Sequence, residues 1–596
     1  MPDSPNDNSH GVVSLKISSN GSQIDDAIQI ISLSVNYTIN KIPQARIIIA
    51  DGDMPNQDFP VSNQDDFKPG SEITIEAGYG GEQEAIFKGI VIKHGIKITG
   101  DNYSRLVIEC RDKAVAMTVG RRNANYVDSK DSDIVSKLVG NYSGLSSDVQ
   151  ATNTEHKELV QYYCADWDFM LSRAEVNGLL VCVDDAKISV KPPDVSSSPV
   201  LQVTYGEDLI ELHADIDARS QLKQVTSIAW NPSEQAVGQD DVATQTLNQQ
   251  GDLTASDLAQ VIGLESFRLQ TPVPLENQEL KDWASAQQTK AGLSRIRGRM
   301  KFQGSAKAKI GTLITLNGVG NRFKGDVFVS AVSHEIENGN WHTEVEFGMS
   351  PNWFVEENEV MAASASGLLP GVDGLQIGVV QKLDQDPDGQ YKVQVSVPVL
   401  QAETEGVWAR LANFYASDQF GAFFIPEIGD EVVLGYLNND PSNPVILGSL
   451  YSSKRIPPYE LTADNYTKAI VTKSKLKIEL DDEKKIVTII TPAENKVVIS
   501  DEGKSILLQD QTGNKLELSE SGIVMDSPKD ISISAQGKIS LDAVGEIGIA
   551  SQADVNVDGM NVNHNANVGF VAKGSASAEL SASGQTTVKG AMVMIN

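Results

Sequence analysis

Of the seven histidines in this 596-residue chain, His564 has the setting that most invites chemistry. It is flanked by Asn563 and Asn565 and falls on the inward parity of a series of apolar pairs. Three symmetry-related copies converging on an axis would offer neutral imidazoles to a metal or an anion. The competing reading is a buried, hydrogen-bonded histidine, or a register shift after Asp558 that turns it outward. No other cofactor is expected. Met592, Val593, Met594 and Ile595 form an apolar run whose open strand edge calls for a covering partner. Catalysis finds no foothold. GxSxG, HExxH, P-loop and Rossmann patterns are absent from the sequence, and nothing singles out a catalytic pair among the 80 acidic residues. His94, His213, His334 and His342 sit isolated within strand patterns and read as structural. Cys110, Cys164 and Cys182 are an odd, widely spaced set without CxxC, and read as buried free thiols. We therefore expect no enzyme.

The elements that must position His564 and the terminal run are short repeats. Ile531 and Ile533, Ile539 and Leu541, Ile547 and Ile549, and Val555 and Val557 recur at a near-constant octad spacing. Each pair has one residue between its members, the mark of a strand with one buried face. A repeat this short cannot bury its own apolar face, so copies must stack into a β-helix. One chain winding alone would give a stub of roughly 25 Å, and three intertwined chains a needle of roughly 75 Å.

Composition narrows the rest. The net charge is −31 and the hydrophobic content 40%, which repels nucleic acid and suffices for ordinary cores. No stretch approaches the ~18 apolar residues of a membrane span, and the first residues lack a signal-peptide pattern. Synthesis in the cytoplasm is the expectation.

Along the chain, residues 1–11 are polar and expected to be disordered. Residues 12–120 alternate as strands and suggest a first β-barrel, residues 121–230 an α+β part, and residues 231–361 a helix and a second barrel. Within these, 232–260 reads as an exposed loop. The segment Gly70 to Ile75, with Phe87-Lys88-Gly89, has a counterpart in Gly311 to Leu316 with Phe323-Lys324-Gly325. That internal repeat implies two similar barrels per chain, and six in a trimeric ring. A linker (362–374) leads to a five-stranded unit at 375–452 that suits an OB-type barrel. A connector (453–464) and the needle (465–596) complete the chain. The fold class expected is mainly β: two barrel-like hub domains with a small α+β part, an OB-fold barrel and a C-terminal trimeric intertwined β-helix.

The run Ile425 to Leu434 followed by Asn439 to Tyr451 resembles the OB signature of VgrG-type proteins and phage tail spikes. It is carried here by Pro426, Gly429, Asp430, Glu431, Asp440, Pro441, Pro444 and Gly448. The front half resembles the phage tail hub fused to that spike, through Phe67 to Gly70, Phe87 to Val91, Asp166 to Arg173 with Asn177-Gly178-Leu179, and Phe347 to Phe354. The resemblance implies the trimeric central spike of a contractile injection system: type VI secretion, an extracellular phage-tail-like particle or a related tail. It implies docking on a hexameric inner tube, contact with baseplate proteins, a PAAR-type tip protein on residues 592–595, and transient contact with a target membrane. Residues 453–464 are too few to hold the lysozyme domain of some phage spikes, and no toxin domain is expected, so effector cargo would be separate. Assembly in the bacterial cytoplasm, then a place in the particle and release on firing, is implied. The alternative is a secreted β-helical adhesin or carbohydrate-binding protein, which the missing secretion signal and intracellular-style cysteines disfavour.

Overall fold

Alternating apolar residues over the first 350 positions build one large sheet and three small ones. The computed structural model describes residues 2–7, 11–100, 103–245, 247–400 and 405–595, with 12% helix and 39% strand. Two units are distinguished, Met1–Leu450 and Tyr451–Asn596. Among the described residues no helix is long and apolar enough to cross a membrane.

The first unit opens with β1 (Val13–Ser19), β2 (Ser22–Gln23), β3 (Ile30–Thr38), β4 (Gln44–Ala50), β5 (Glu72–Tyr79), β6 (Glu82–Ile98) and β7 (Ser104–Arg111). The α+β part follows as β8 (Arg122–Lys130), α1 (Asp131–Gly140), β9 (Ser146–Val149), β10 (Glu155–Cys164), α2 (Asp166–Val176), β11 (Leu180–Asp184) and β12 (Lys187–Lys191). Next come β13 (Leu201–Thr204), β14 (Leu209–Ile216), β15 (Gln224–Asn231), β16 (Ala236–Ala243), α3 (Ala255–Ile262), β17 (Phe267–Thr271) and α4 (Asn277–Leu293). β18 (Ile296–Gln303), β19 (Leu313–Asn317), β20 (Gly325–Glu337), β21 (Asn340–Phe347) and α5 (Phe354–Glu357) end this half.

The internal repeat has a structural counterpart. One half pairs in the order β3-β4-β7-β6-β5-β1 and the other in the order β14-β18-β21-β20-β19-β13. The outermost pairings differ, since β1 runs antiparallel to β5 whereas β13 runs parallel to β19. The two halves are not separate barrels. β20 is 13 residues long, so its first part pairs β19 and its second part pairs β3 antiparallel. Thirteen strands thus form one sheet around two apolar cores, one holding Ile47 and Phe87 and the other Phe302 and Val345.

Three expectations need correction. Residues 2–7 are not free: Asp3 bridges Leu201, its carboxylate pairs with Lys307 at 2.5 Å, and the Ser4 hydroxyl donates to Asp208. β13 and β14, expected in the α+β part, pair into the second half of the sheet. The expected loop 232–260 contains β16, which pairs β15 antiparallel, and α3. β16 alternates exposed with half-buried residues, but the half-buried ones are Gly238, Asp240 and Val242, so little apolar alternation marked it. A capping box between Thr254 and Asp257 was the sequence signal for α3.

Trp167, Phe169, Met170 and Leu171 on α2 pack into the α+β core, as expected of packing residues. The cysteines are free; burial pushes the Cys110 thiol up to about 12 and that of Cys182 to about 11. Beyond the linker, β22 (Gln376–Lys382), β23 (Val393–Ser396), β24 (Val407–Leu411), β25 (Glu431–Tyr436) and β26 (Pro444–Ser449) close into a five-stranded barrel around Val380, Val395, Leu434 and Ile446.

The second unit begins as a meander of seven antiparallel strands. These are β27 (Thr467–Val471), β28 (Lys477–Asp481), β29 (Ile486–Ile490), β30 (Lys496–Ser500), β31 (Ser505–Gln509), β32 (Lys515–Ser519) and β33 (Gly522–Asp526), paired in sequence order. The expected needle is therefore not uniform. Residues 467–526 form their ladder within the chain rather than between chains, because connections of a few residues let consecutive strands pair directly.

Candidate functional site

The barrel signature residues build turns. Gly429 takes a left-handed φ of 83°, and the Glu427 amide donates to the Asp430 carboxylate at 2.9 Å. Glu431 then opens β25 opposite Val379. Asp440 accepts from the Ser442 amide and the Asn443 side chain at 2.8 and 3.0 Å. Pro441 follows it in the same turn, and Pro444 opens β26 opposite Tyr436. Gly448 lies opposite Val433, beside the bulge in that ladder. These residues fix loop geometry.

The meander carries the unit's main surface. Residues directly opposite in a ladder share a face, and two aliphatic rows cross it on one face. One runs from Ile470 through Ile478, Ile489, Val497, Leu508 and Leu516 to Met525; the other from Leu480 through Val487, Ile499, Ile506 and Leu518 to Ile523. Ile478, Ile489, Ile499 and Leu508 are exposed. Among the described residues no helix or strand of this unit covers these rows. The turns along one edge repeat every 19 residues: the amides of Thr472, Thr491 and Asp510 donate to the carbonyls of Leu476, Asn495 and Asn514. Lys475, Glu494 and Gly513 take the left-handed conformation at equivalent places. The sequence reading missed this period because Lys, Glu and Gly hold one conformational role.

Past β33 the described chain bends at 528–529, 536–537, 544–545, 552–553, 560, 567–568, 575–576, 583–584 and 591, with no strand ladder between bends. The second and fourth positions after each bend are Ile531 and Ile533, and so on through Val555 and Val557. The series continues with Val562 and His564, Phe570 and Ala572, Ala578 and Leu580, Thr586 and Val588, and Val593 and Ile595. The octad thus persists beyond Asp558, with two steps shortened to seven residues. His564 keeps its place in the series and lies 6.0 Å from the Phe570 ring, centroid to centroid. Val593 and Ile595 end the series, Met592 and Met594 fall on the other parity, and all four are exposed. Asn596 lies outside the described residues. Among the described residues no group of His, Cys, Asp or Glu within one chain is arranged to hold a metal.

A buried polar cluster in the hub escaped the sequence reading. Asp131 opens α1 and receives two hydrogen bonds from the Arg173 guanidinium, at 2.7 and 2.9 Å, and one from Asn177 at 2.9 Å. His156 places Nε2 3.0 Å from Asp131 and Nδ1 3.4 Å from Glu279 on α4. Burial pushes the Asp131 carboxyl up, but the Arg173, His156 and Asn177 contacts outweigh it and hold the group below the usual carboxylate range. The four-residue spacing of Arg173 and Asn177 was the available signal, since it puts both on one face of α2.

A long β hub, an OB barrel and a meander of short strands follow one another along the chain, the order expected of a VgrG-type spike. A family model described as the type VI secretion system/phage-baseplate injector OB domain matches residues 376–451. A second, the Alg8 N-terminal domain, matches residues 9–338, more than half of the chain, and the chain belongs to that family. The type VI secretion system spike protein VgrG3 of Vibrio cholerae is 33% identical over 109 residues, 17% of this chain and 11% of that protein. The spike protein VgrG1a of Pseudomonas aeruginosa is 37% identical over 62 residues, 10% of each chain. The matches thus span about a tenth of these relatives' length. Among solved structures, the 43 kDa tail protein of prophage MuSo2 from Shewanella oneidensis has a TM-score of 0.43 at 10% identity, covering 57% of this chain and 98% of that one. A chain of the Francisella PdpA-VgrG complex has a TM-score of 0.39 at 10% identity, covering 87% of this chain and 80% of that one.

Proposed function

We propose that this chain is the trimeric central spike of a contractile injection system, joining a hexameric inner tube to a piercing tip and delivering effectors by mechanical puncture. The observation that carries the reading is the pair of aliphatic rows that cross the seven-stranded meander uncovered. Apolar surface left in water forgoes about 25 cal/mol per Å², and three copies set face to face around an axis would bury all six rows. The octads that follow, bent every seven or eight residues and without a ladder of their own, would find their strand partners in the other two chains. At ~4.8 Å per strand, seven strands span about 29 Å, and nine octads wound three per coil add about 43 Å.

In this reading the hub docks on the tube and on baseplate proteins, a PAAR-type protein covers the layer that ends at Val593 and Ile595, and effector cargo travels as separate proteins. Three copies of His564 would meet near the axis, where an ion could sit. The particle would assemble in the bacterial cytoplasm and leave it on firing. The chain acts by transmitting load, and catalysis plays no part. Light scattering with negative-stain imaging tests the reading. A species near three times 64.2 kDa bearing a thin needle is expected, and a monomer of 64.2 kDa overturns it.

A further inference from the structure

The buried polar cluster borders a cleft of about 400 Å³ between the α+β part and α4. Glu279, Asp282 and Trp283 stand three and four residues apart on α4, so they share one face, and all three line this cleft. Thr154, His156 and Arg173 also line it.

The charges of the lining do not balance. Arg173 spends its hydrogen bonds on Asp131, with Nη2 also 3.2 Å from His156 Nε2. Glu279 faces His156 through Oε1 and accepts the Glu276 amide on Oε2 at 2.9 Å, and neither Glu279 nor Asp282 has a Lys or Arg ion pair among the described residues. Asp282 accepts one hydrogen bond, from the Gln278 side chain at 2.8 Å. Burial pushes its carboxyl above the usual range and nearby Asp131 adds to the rise, against the pull of Gln278 and Lys281. Thr154 is an independent mark: it is 8% exposed, and its buried Oγ1 has no hydrogen-bond partner among the described residues. Buried hydroxyls left so are rare, and each asks for the group that completes it.

We propose that this cleft binds an alkyl guanidinium, the chemistry of an arginine side chain. A planar guanidinium can donate to Glu279 and Asp282 at once. Its face can lie against the Trp283 ring, an attraction that strengthens as the site loses water, and a further N–H can reach the Thr154 hydroxyl. Val176 and Leu275, also in the lining, suit the aliphatic stem. The cleft joins two parts of the hub, so an arginine seated there would tie a partner to both.

Calorimetric titration of the intact assembled protein tests this with three probes: agmatine, a blocked Gly-Arg-Gly peptide, and the same peptide with uncharged citrulline in place of arginine. Saturable binding of a guanidinium probe is expected, weakened at least about tenfold by Asp282→Asn and absent for the citrulline peptide. Peptide binding as tight as agmatine assigns the site to a side chain presented by a protein; binding of agmatine alone assigns it to a free small cation. Lack of saturable binding, equal binding of the citrulline peptide, or unchanged affinity in Asp282→Asn overturns the proposal. Trp283→Leu serves as the second variant should Asp282→Asn fail to fold, with the same loss expected.

Discussion

His334 lies directly opposite Val35 in the ladder that joins the two halves of the hub sheet. Its ring is buried, 5.8 Å from that of Trp341, and its Nδ1 is 3.0 Å from the Thr343 hydroxyl. Burial lowers the imidazole from the usual 6.5 to about 4. Between those values the unfolded chain holds a proton that the folded chain lacks. The stability this group contributes is therefore complete above pH 6.5 and falls as the pH drops toward about 4, by about 3 kcal/mol in all. His334→Gln should flatten that part of the pH dependence. The check is the difference in urea midpoint between pH 7 and pH 4.5, wild type against variant, followed by tryptophan fluorescence.

Asp131 gives a response in the same direction at lower pH. Its folded carboxyl is held below the ordinary value of 3.8, so its contribution is present above that value and is lost as the pH falls through the folded one. Arg173→Ala leaves the carboxylate buried with only His156 and Asn177. We expect a loss of about 3 kcal/mol, read as a lower thermal midpoint for the hub at neutral pH, with the gap to wild type narrowing at acid pH.

Ile499→Asp separates an assembled meander from a solitary one. In a single chain Ile499 is 46% exposed, and an aspartate there would cost little. In a threefold assembly the same change buries three like charges, each costing several kcal/mol. Light scattering should report three chains for the wild type and one for the variant; an unchanged trimer would mean that this face is not the interface.

For His564, metal analysis of the purified assembly beside His564→Ala is the direct check. Metal in the wild type that disappears in the variant is the expected result. Equal content in the two removes the axial ion.

Deleting residues 592 to 596 should abolish binding of a PAAR-type protein while leaving the trimer mass intact, since eight of the nine octad pairs and the whole meander remain. Size-exclusion co-elution of the two proteins is the readout, and retained binding would move the tip contact elsewhere.

Where period and turn chemistry were strong, the fold was legible in the sequence. The turns at Pro426, Gly429 and Asp440 marked the starts of the last two barrel strands, β25 and β26, and the octads followed from the spacing of Ile531, Ile539 and Ile547. What stayed hidden was pairing over distance. Nothing local to Ser333 or Asn36 reveals that they face each other and fuse two repeats into one sheet. The edge strand β16 lacked apolar alternation because the face it turns to α4 carries Gly238, Asp240 and Val242, of which only Val242 is a large apolar residue. The cluster around Asp131 was hidden because His156, Arg173 and Glu279 meet only after α1, α2 and α4 pack.

The 19-residue repeat of turns also bears on how a needle could be built without error. The meander closes its hydrogen bonds inside one chain, so each copy can set its own strand register soon after synthesis. The octads have no such resource, and three identical chains sliding past one another by eight residues would find nearly the same pairs again. If three finished meanders dock first, the chains enter the octad region already aligned. Winding then proceeds from one end, as a zipper does from its stop, and the misaligned alternatives are never sampled.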